Sequence, residues 1–194
     1  MTLIRVNPDS LHRYGLDTQA GFDAMHHSLV ALVDQVVEVR YFGPNALTFK
    51  TEVGRLAAEF ANRLHADMQA MTEAIRTSTT NIATALGSQP IVIRLDPRPI
   101  TAPAPAAVDF VDVDTAALEA LNPRVIERFE GLRQGLSSHL AKLQATDWEG
   151  NAKRLAVDAV GGFTSSARGR CDAAEQSITA FVRNQLDAVL AADR

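Results

Sequence analysis

Apolar residues at positions 22, 25, 29, 33 and 36 follow the alternating three- and four-residue spacing that lines one face of a helix. A second stretch does the same at 125, 129, 132, 136, 140 and 143. The first is preceded by a short lead over residues 8–14. The second opens at Asn122-Pro123, an N-cap residue followed by a proline suited to the first helical position. Each stretch runs into a break, Gly43-Pro44 in one case and Trp148-Glu149-Gly150-Asn151 in the other. A longer amphipathic run follows each break. Its apolar positions are Val53, Leu56, Phe60, Leu64, Met68, Met71, Ile75, Ile82 and Leu86, then Val160, Phe163, Ala167, Cys171, Ala174, Ile178, Val182, Leu186 and Val189. At ~1.5 Å per residue these long helices are expected to reach roughly 60 Å.

The similarity of plan is an internal repeat. Residues 3–87 align with residues 110–194 without a gap, at a constant offset of 107. Val6 falls on Val113, Leu11 on Leu118, Phe22 on Phe129, Leu29 on Leu136 and Gly43 on Gly150. Val53-Gly54 falls on Val160-Gly161, Arg63 on Arg170 and Arg76 on Arg183. Identities number 13 of 85, and most remaining seam positions pair apolar with apolar. The chain therefore divides into a first helical hairpin (1–87), a linker (88–109) and a second hairpin (110–194). The linker holds Pro90, Pro97, Pro99, Pro103 and Pro105, so it is expected to be extended. At ~3.1 Å per residue it could span roughly 68 Å. Ile91-Val92-Ile93 is its one apolar stretch, suited to docking on the helices. A lone hairpin leaves its seam uncovered. The expected fold is thus all-α, with the two tandem hairpins packed as a four-helix bundle, an intramolecular pseudo-dimer.

Composition agrees with helix packing: of 194 residues, 46% are apolar, only 6% aromatic and 22% charged. Lys and Arg number 19 against 23 Asp and Glu, a net charge of -4, which offers no basic excess for nucleic acid. The most apolar run, over 29–39, is short and broken by Asp34 and Glu38, so no stable membrane insertion is expected. Asn7-Pro8-Asp9 interrupts the start of the chain before an apolar stretch can build, which argues against a Sec signal peptide. Cys171 is the only cysteine, excluding an internal disulfide and a Cys-rich zinc site.

Candidate chemistry is sparse. His12, His26, His27, His65 and His139 show no spacing that converges three metal ligands, so no metal or other cofactor is expected. His26 and His27 are sequential and point to different parts of a helix surface; Asp23 and His27 are four apart and suited to pairing. Ser137, Ser138 and His139 lack a nucleophile elbow or oxyanion loop. Gly161-Gly162-Phe163-Thr164-Ser165-Ser166 lacks the lysine and preceding strand of a phosphate loop, and its match to Val53-Gly54 points to close helix packing or a kink. Cys171 takes Leu64's place in the seam, as a small buried hydrophobe. No acid, base and nucleophile assemble, and the chain reads as non-enzymatic.

Trp148-Glu149-Gly150 at the bend of a hairpin of under a hundred residues, with small Ala152 and Ala156 after it, resembles the WXG family, the small substrates of type VII (ESX) secretion. Tyr41-Phe42-Gly43 is the partial counterpart in the first hairpin. The leads Val6-Asn7-Pro8-Asp9-Ser10-Leu11 and Val113-Asp114-Thr115-Ala116-Ala117-Leu118 are similar to the Val-Asp-Pro-x-x-Leu opening of actinobacterial members. The resemblance implies a fused pair of hairpins, monomeric in solution, that is exported or guides export. It would be cytoplasmic first, then secreted or on the cell surface by a Sec-independent route. Its partners would be the secretion machinery or a co-secreted protein, recognised at the two bends. Trp148 has two readings, a display residue or an aromatic that plugs the core; Glu149 between them is solvated. One family feature is missing: Tyr14 and Tyr41 are followed four places on by Thr18 and Asn45, so neither supplies the Tyr-x-x-x-Asp/Glu export signal. That leaves a partner to carry the signal, or an intracellular or phage-derived helical scaffold or adaptor that is not secreted.

Overall fold

The computed structural model describes residues 4–192. It is all-α in character, with four long helices packing against each other: α1 (Pro8–Val37), α2 (Pro44–Leu86), α4 (Leu121–Ala145) and α5 (Asn151–Ala192). A five-residue helix, α3 (Thr115–Glu119), precedes α4. Four two-residue strands complete the order: β1 (Arg5–Val6), β2 (Tyr41–Phe42), β3 (Asp112–Val113) and β4 (Trp148–Glu149). Among the described residues no helix is long and apolar enough to cross a membrane.

The helices begin where local chemistry dictates. The Asn7 side-chain carbonyl accepts from the N–H groups of Asp9 (3.1 Å) and Ser10 (3.2 Å), and Pro8 supplies a first residue with no N–H to satisfy. The stretch over residues 8–14 is therefore already helical and continuous with α1, not a separate lead. Asp114, 107 positions after Asn7, caps α3 by accepting from Ala117 N–H at 2.9 Å. The expected start at Asn122-Pro123 falls too late, because Asp114 caps first and Ala120 stays near helical geometry (φ -71°, ψ -13°). Pro123 sits in the first turn of α4, where a missing N–H costs nothing. Asn122 is not a cap; its amide donates to the Thr179 carbonyl at 3.0 Å.

The chain forms two compact units, and each draws segments from both repeats. One gathers Met1–His26, Leu64–Pro97 and Arg133–Gly169; the other gathers His27–Arg63, Arg98–Leu132 and Arg170–Arg194. In the first unit Phe22, Met68, Met71, Ile75, Leu136, Trp148 and Val160 are among the buried interior side chains. In the second, Leu29, Leu32, Phe49, Val53, Phe129, Leu132 and Ile178 are, with Phe60 and Phe129 ring to ring at 4.9 Å. Most of the expected seam is buried. On α5 the seam is thinner: Phe163, Ala174, Leu186 and Val189 are only half-buried. Leu86 is exposed. Cys171 is fully buried, as its place in the seam implied. The linker carries no helix, and Ile91 and Ile93 are buried while Val92 between them is exposed. The ends of the repeat alignment, Leu3 and Arg194, lie outside the described residues.

The glycine pair shared by the repeats serves different ends. A Cβ on Gly54 would lie 2.9 Å from Val37 Cγ2 and 3.1 Å from Ala102 Cβ, so this glycine admits close neighbours. Gly161 and Gly162 have open space around them, which corrects the expectation of close packing there; α5 runs through both. Gly54→Val is expected to cost about 1–3 kcal/mol by overpacking. Gly161→Ala should be neutral or stabilising by up to ~1 kcal/mol, because alanine is the better helix former. Paired thermal melts check both; equal loss at the two sites would contradict this division.

Candidate functional site

The two bends are built alike, and each is completed by the opening segment of the other repeat. In the first unit β1 runs antiparallel to β4, with Val6 opposite Trp148 and Arg5 opposite Glu149. In the second, β2 runs antiparallel to β3, with Tyr41 opposite Val113 and Phe42 opposite Asp112. An offset of 107 converts one register into the other. The flanking bonds correspond too. Asn7 N–H donates to Asp147 O at 2.8 Å, and Asp114 N–H to Arg40 O at 3.0 Å. Trp148 N–H donates to Thr146 O and Tyr41 N–H to Val39 O, both at 2.8 Å. Gly150 and Gly43 take φ of 123° and 124°, backbone that a side chain disfavours, and the helix that follows starts from each carbonyl.

Each aromatic is turned inward. Trp148 is 1% exposed and Tyr41 4%, while Glu149 is exposed and Phe42 half-buried. The structure thus places Trp148 as a plug of the first unit's interior and leaves Glu149 solvated. Tyr41 keeps a polar tie: Gln185 Nε2 donates to its hydroxyl at 2.8 Å. Burial pushes the Tyr41 phenol up, and the Gln185 bond partly offsets this.

Around Tyr41-Phe42-Gly43 the surface is open. A cavity of about 470 Å³ is lined by Phe42, Gly43, Pro44, Val111, Val189 and Leu190, among others. Phe42 packs against exposed Phe110 at 5.7 Å, with Lys50 Nζ 4.7 Å from its ring centroid. Burial holds the Lys50 ammonium below its ordinary value. Arg40 and Asp112 close the strand end with an exposed ion pair at 2.9 Å.

His139 and His65 are buried and His26 is half-buried, while His12 and His27 are exposed. His139 stands where the repeat has Leu32; its ring is buried against Phe22 (4.7 Å), and Nε2 lies 2.9 Å from the Tyr14 hydroxyl. Burial first, and Lys142 second, push its pKa down to about 4. Tyr14 is shifted upward by burial. Ser137 accepts from Arg168 at 3.3 Å. His26 and His65 meet edge to face at 5.4 Å, and His65 is shifted down by burial and then by His26. No group of three or more His, Cys, Asp or Glu able to hold a metal occurs among the described residues.

The strands, the Gln185–Tyr41 bond and the Tyr14–His139 contact had no local signal strong enough to predict them. Only the shared Val6/Val113 pair marked the leads as more than helix starts. No protein-family model, curated protein or solved structure matches this chain.

Proposed function

We propose that this chain is a non-enzymatic, tandem WXG-like protein of a type VII secretion pathway, either an exported substrate or a targeting partner for one. On this reading its two hairpins form a four-helix bundle as an intramolecular pseudo-dimer. The observation that carries the reading is the reciprocal exchange at the bends: the lead of each repeat completes the bend of the other, in one register and with matching hydrogen bonds. That reciprocity supports two hairpins adapted to each other as partners, the arrangement which fusion favours by raising their effective concentration. Trp148-Glu149-Gly150 and Tyr41-Phe42-Gly43 are the recognition ends. Of the two, Tyr41-Phe42-Gly43 borders the open apolar cavity and is the better receptor contact.

The test is made in the native host, with the chain tagged and culture filtrate compared with lysate, the type VII ATPase intact or deleted. ATPase-dependent appearance in the filtrate is expected, alone or together with a co-secreted partner. Retention in both strains, with clean lysis controls, would favour the intracellular scaffold instead. Light scattering should give the mass of one chain; a stable tetramer would overturn the pseudo-dimer.

A further inference from the structure

The linker has neither helix nor ladder, yet its backbone is held like a strand. In the first unit the Gln19 side-chain amide accepts from Arg94 N–H and donates to Arg94 C=O, both at 2.8 Å. In the second unit Asn62 does the same to Ile100, at 2.9 and 2.7 Å. A primary amide carries donor and acceptor side by side, so each clamp makes the two bonds a neighbouring strand would make. Thr79 Oγ1 adds a contact to Ile91 N–H at 3.3 Å.

Side chains complete the recognition. Ile91 and Ile93 are buried and Val92 is 59% exposed, the two-residue alternation of an extended peptide lying on an apolar surface. Glycines admit it closely: a Cβ on Gly15 would lie 3.2 Å from Ile91 Cγ2, and one on Gly54 3.1 Å from Ala102 Cβ. Prolines at 90, 97 and 99 bring no N–H that needs a partner and narrow the backbone before it docks.

The clamps are not part of the repeated unit. Gln19 and Asn62 belong to the first hairpin, and the second has Ile126 and Gly169 at those positions. Thr79 likewise corresponds to Leu186. The chemistry that reads the linker backbone therefore exists in one repeat only.

We infer that the first repeat supplies an extended-peptide-binding surface in each unit, read through the backbone by Gln19 in the first and by Asn62 in the second, whose resident ligands are the chain's own residues 88–97 and 98–102 held in cis. The first unit's surface fits a proline-containing peptide with aliphatic residues at alternate positions, and a trans copy of the segment takes the resident one's place in each unit once that is undocked. This inference does not depend on the secretion reading.

The test uses the full chain and a fluorescent peptide of residues 88–102. Wild type, its surfaces already occupied, should not bind. Ile91→Ser/Ile93→Ser/Ile100→Ser should bind, and adding Gln19→Ala/Asn62→Ala should weaken that binding about tenfold or more, from four lost hydrogen bonds. Failure of a normally helical triple variant to bind, binding indifferent to the clamps, or equal binding by wild type would each overturn the proposal. Hydrogen exchange of the wild-type chain keeps it testable if the variant does not fold. The Arg94 and Ile100 amides should exchange far more slowly than those of exposed Ala106 and Ala107; equal rates would overturn it.

Discussion

Trp148→Ala is expected to destabilise the chain by about 3–5 kcal/mol, the cost of emptying a large aromatic site in a packed interior. Trp148 is 1% exposed, anchored at its backbone by Val6 across the β1–β4 pair and by the Thr146 carbonyl. The neighbours cannot close in freely, because Gly150 at φ 123° and the Asn7–Asp147 bond fix the bend from both sides. Domains are stable by only ~5–15 kcal/mol, so a large share of the stability goes with one side chain. Glu149→Ala, on the exposed neighbour, should move stability by no more than about 0.5 kcal/mol. Chemical denaturation of the two variants separates the roles. An unchanged midpoint for Trp148→Ala would return Trp148 to the reading of a residue displayed to a receptor. As the only tryptophan, it also reports its own burial: its emission should shift to the red in the unfolded chain.

Acid should weaken the same unit. His139 has an ordinary pKa of 6.5, lowered to about 4 in the folded chain, so folding favours its neutral ring. That contribution is complete above pH 6.5 and is lost progressively as pH falls towards 4. The difference of about 2.5 pH units corresponds to roughly 3 kcal/mol. The structural reason is local: Nε2 is occupied by Tyr14, and Nδ1 is buried with no hydrogen-bond partner for an added proton. His139→Leu, which installs the residue found at the matching position 32, should flatten the part of the stability profile between pH 6.5 and 4. Urea titrations across that range decide it. An undiminished acid loss in the leucine variant would place the sensitivity elsewhere.

The candidate site was partly legible. Both bends, their glycines and their aromatics stand out in the sequence because a positive φ and a break in helical period leave local marks. The depth of Trp148 did not, since burial depends on what arrives from residues 142 positions away, where Val6 pairs with it. Gly161 shows the converse. A match to Val53-Gly54 suggested close packing, but the linker that crowds Gly54 through Ala102 has no counterpart at Gly161. Repetition of sequence therefore does not guarantee repetition of environment.

The linker divides in the same way. Its prolines made it non-helical in advance, and Ile91 and Ile93 pointed to docking. Nothing nearby in sequence singled out Gln19 or Asn62, 75 and 38 residues from the linker residues they hold. Amide side chains on helix surfaces are ordinary until a backbone with unmet donors and acceptors lies against them.

By itself the sequence determined the elements of this protein: which stretches coil into helices, where Gly43 and Gly150 turn them, and that one plan occurs twice. These are effects of side chains on their immediate neighbours, and they need no fold to operate. Tertiary structure alone decided that each lead completes the other repeat's bend, that His139 meets Tyr14, and that one repeat clamps the linker. Those contacts join residues far apart in the chain, and they exist only because packing the apolar seams brings specific polar groups within bonding distance.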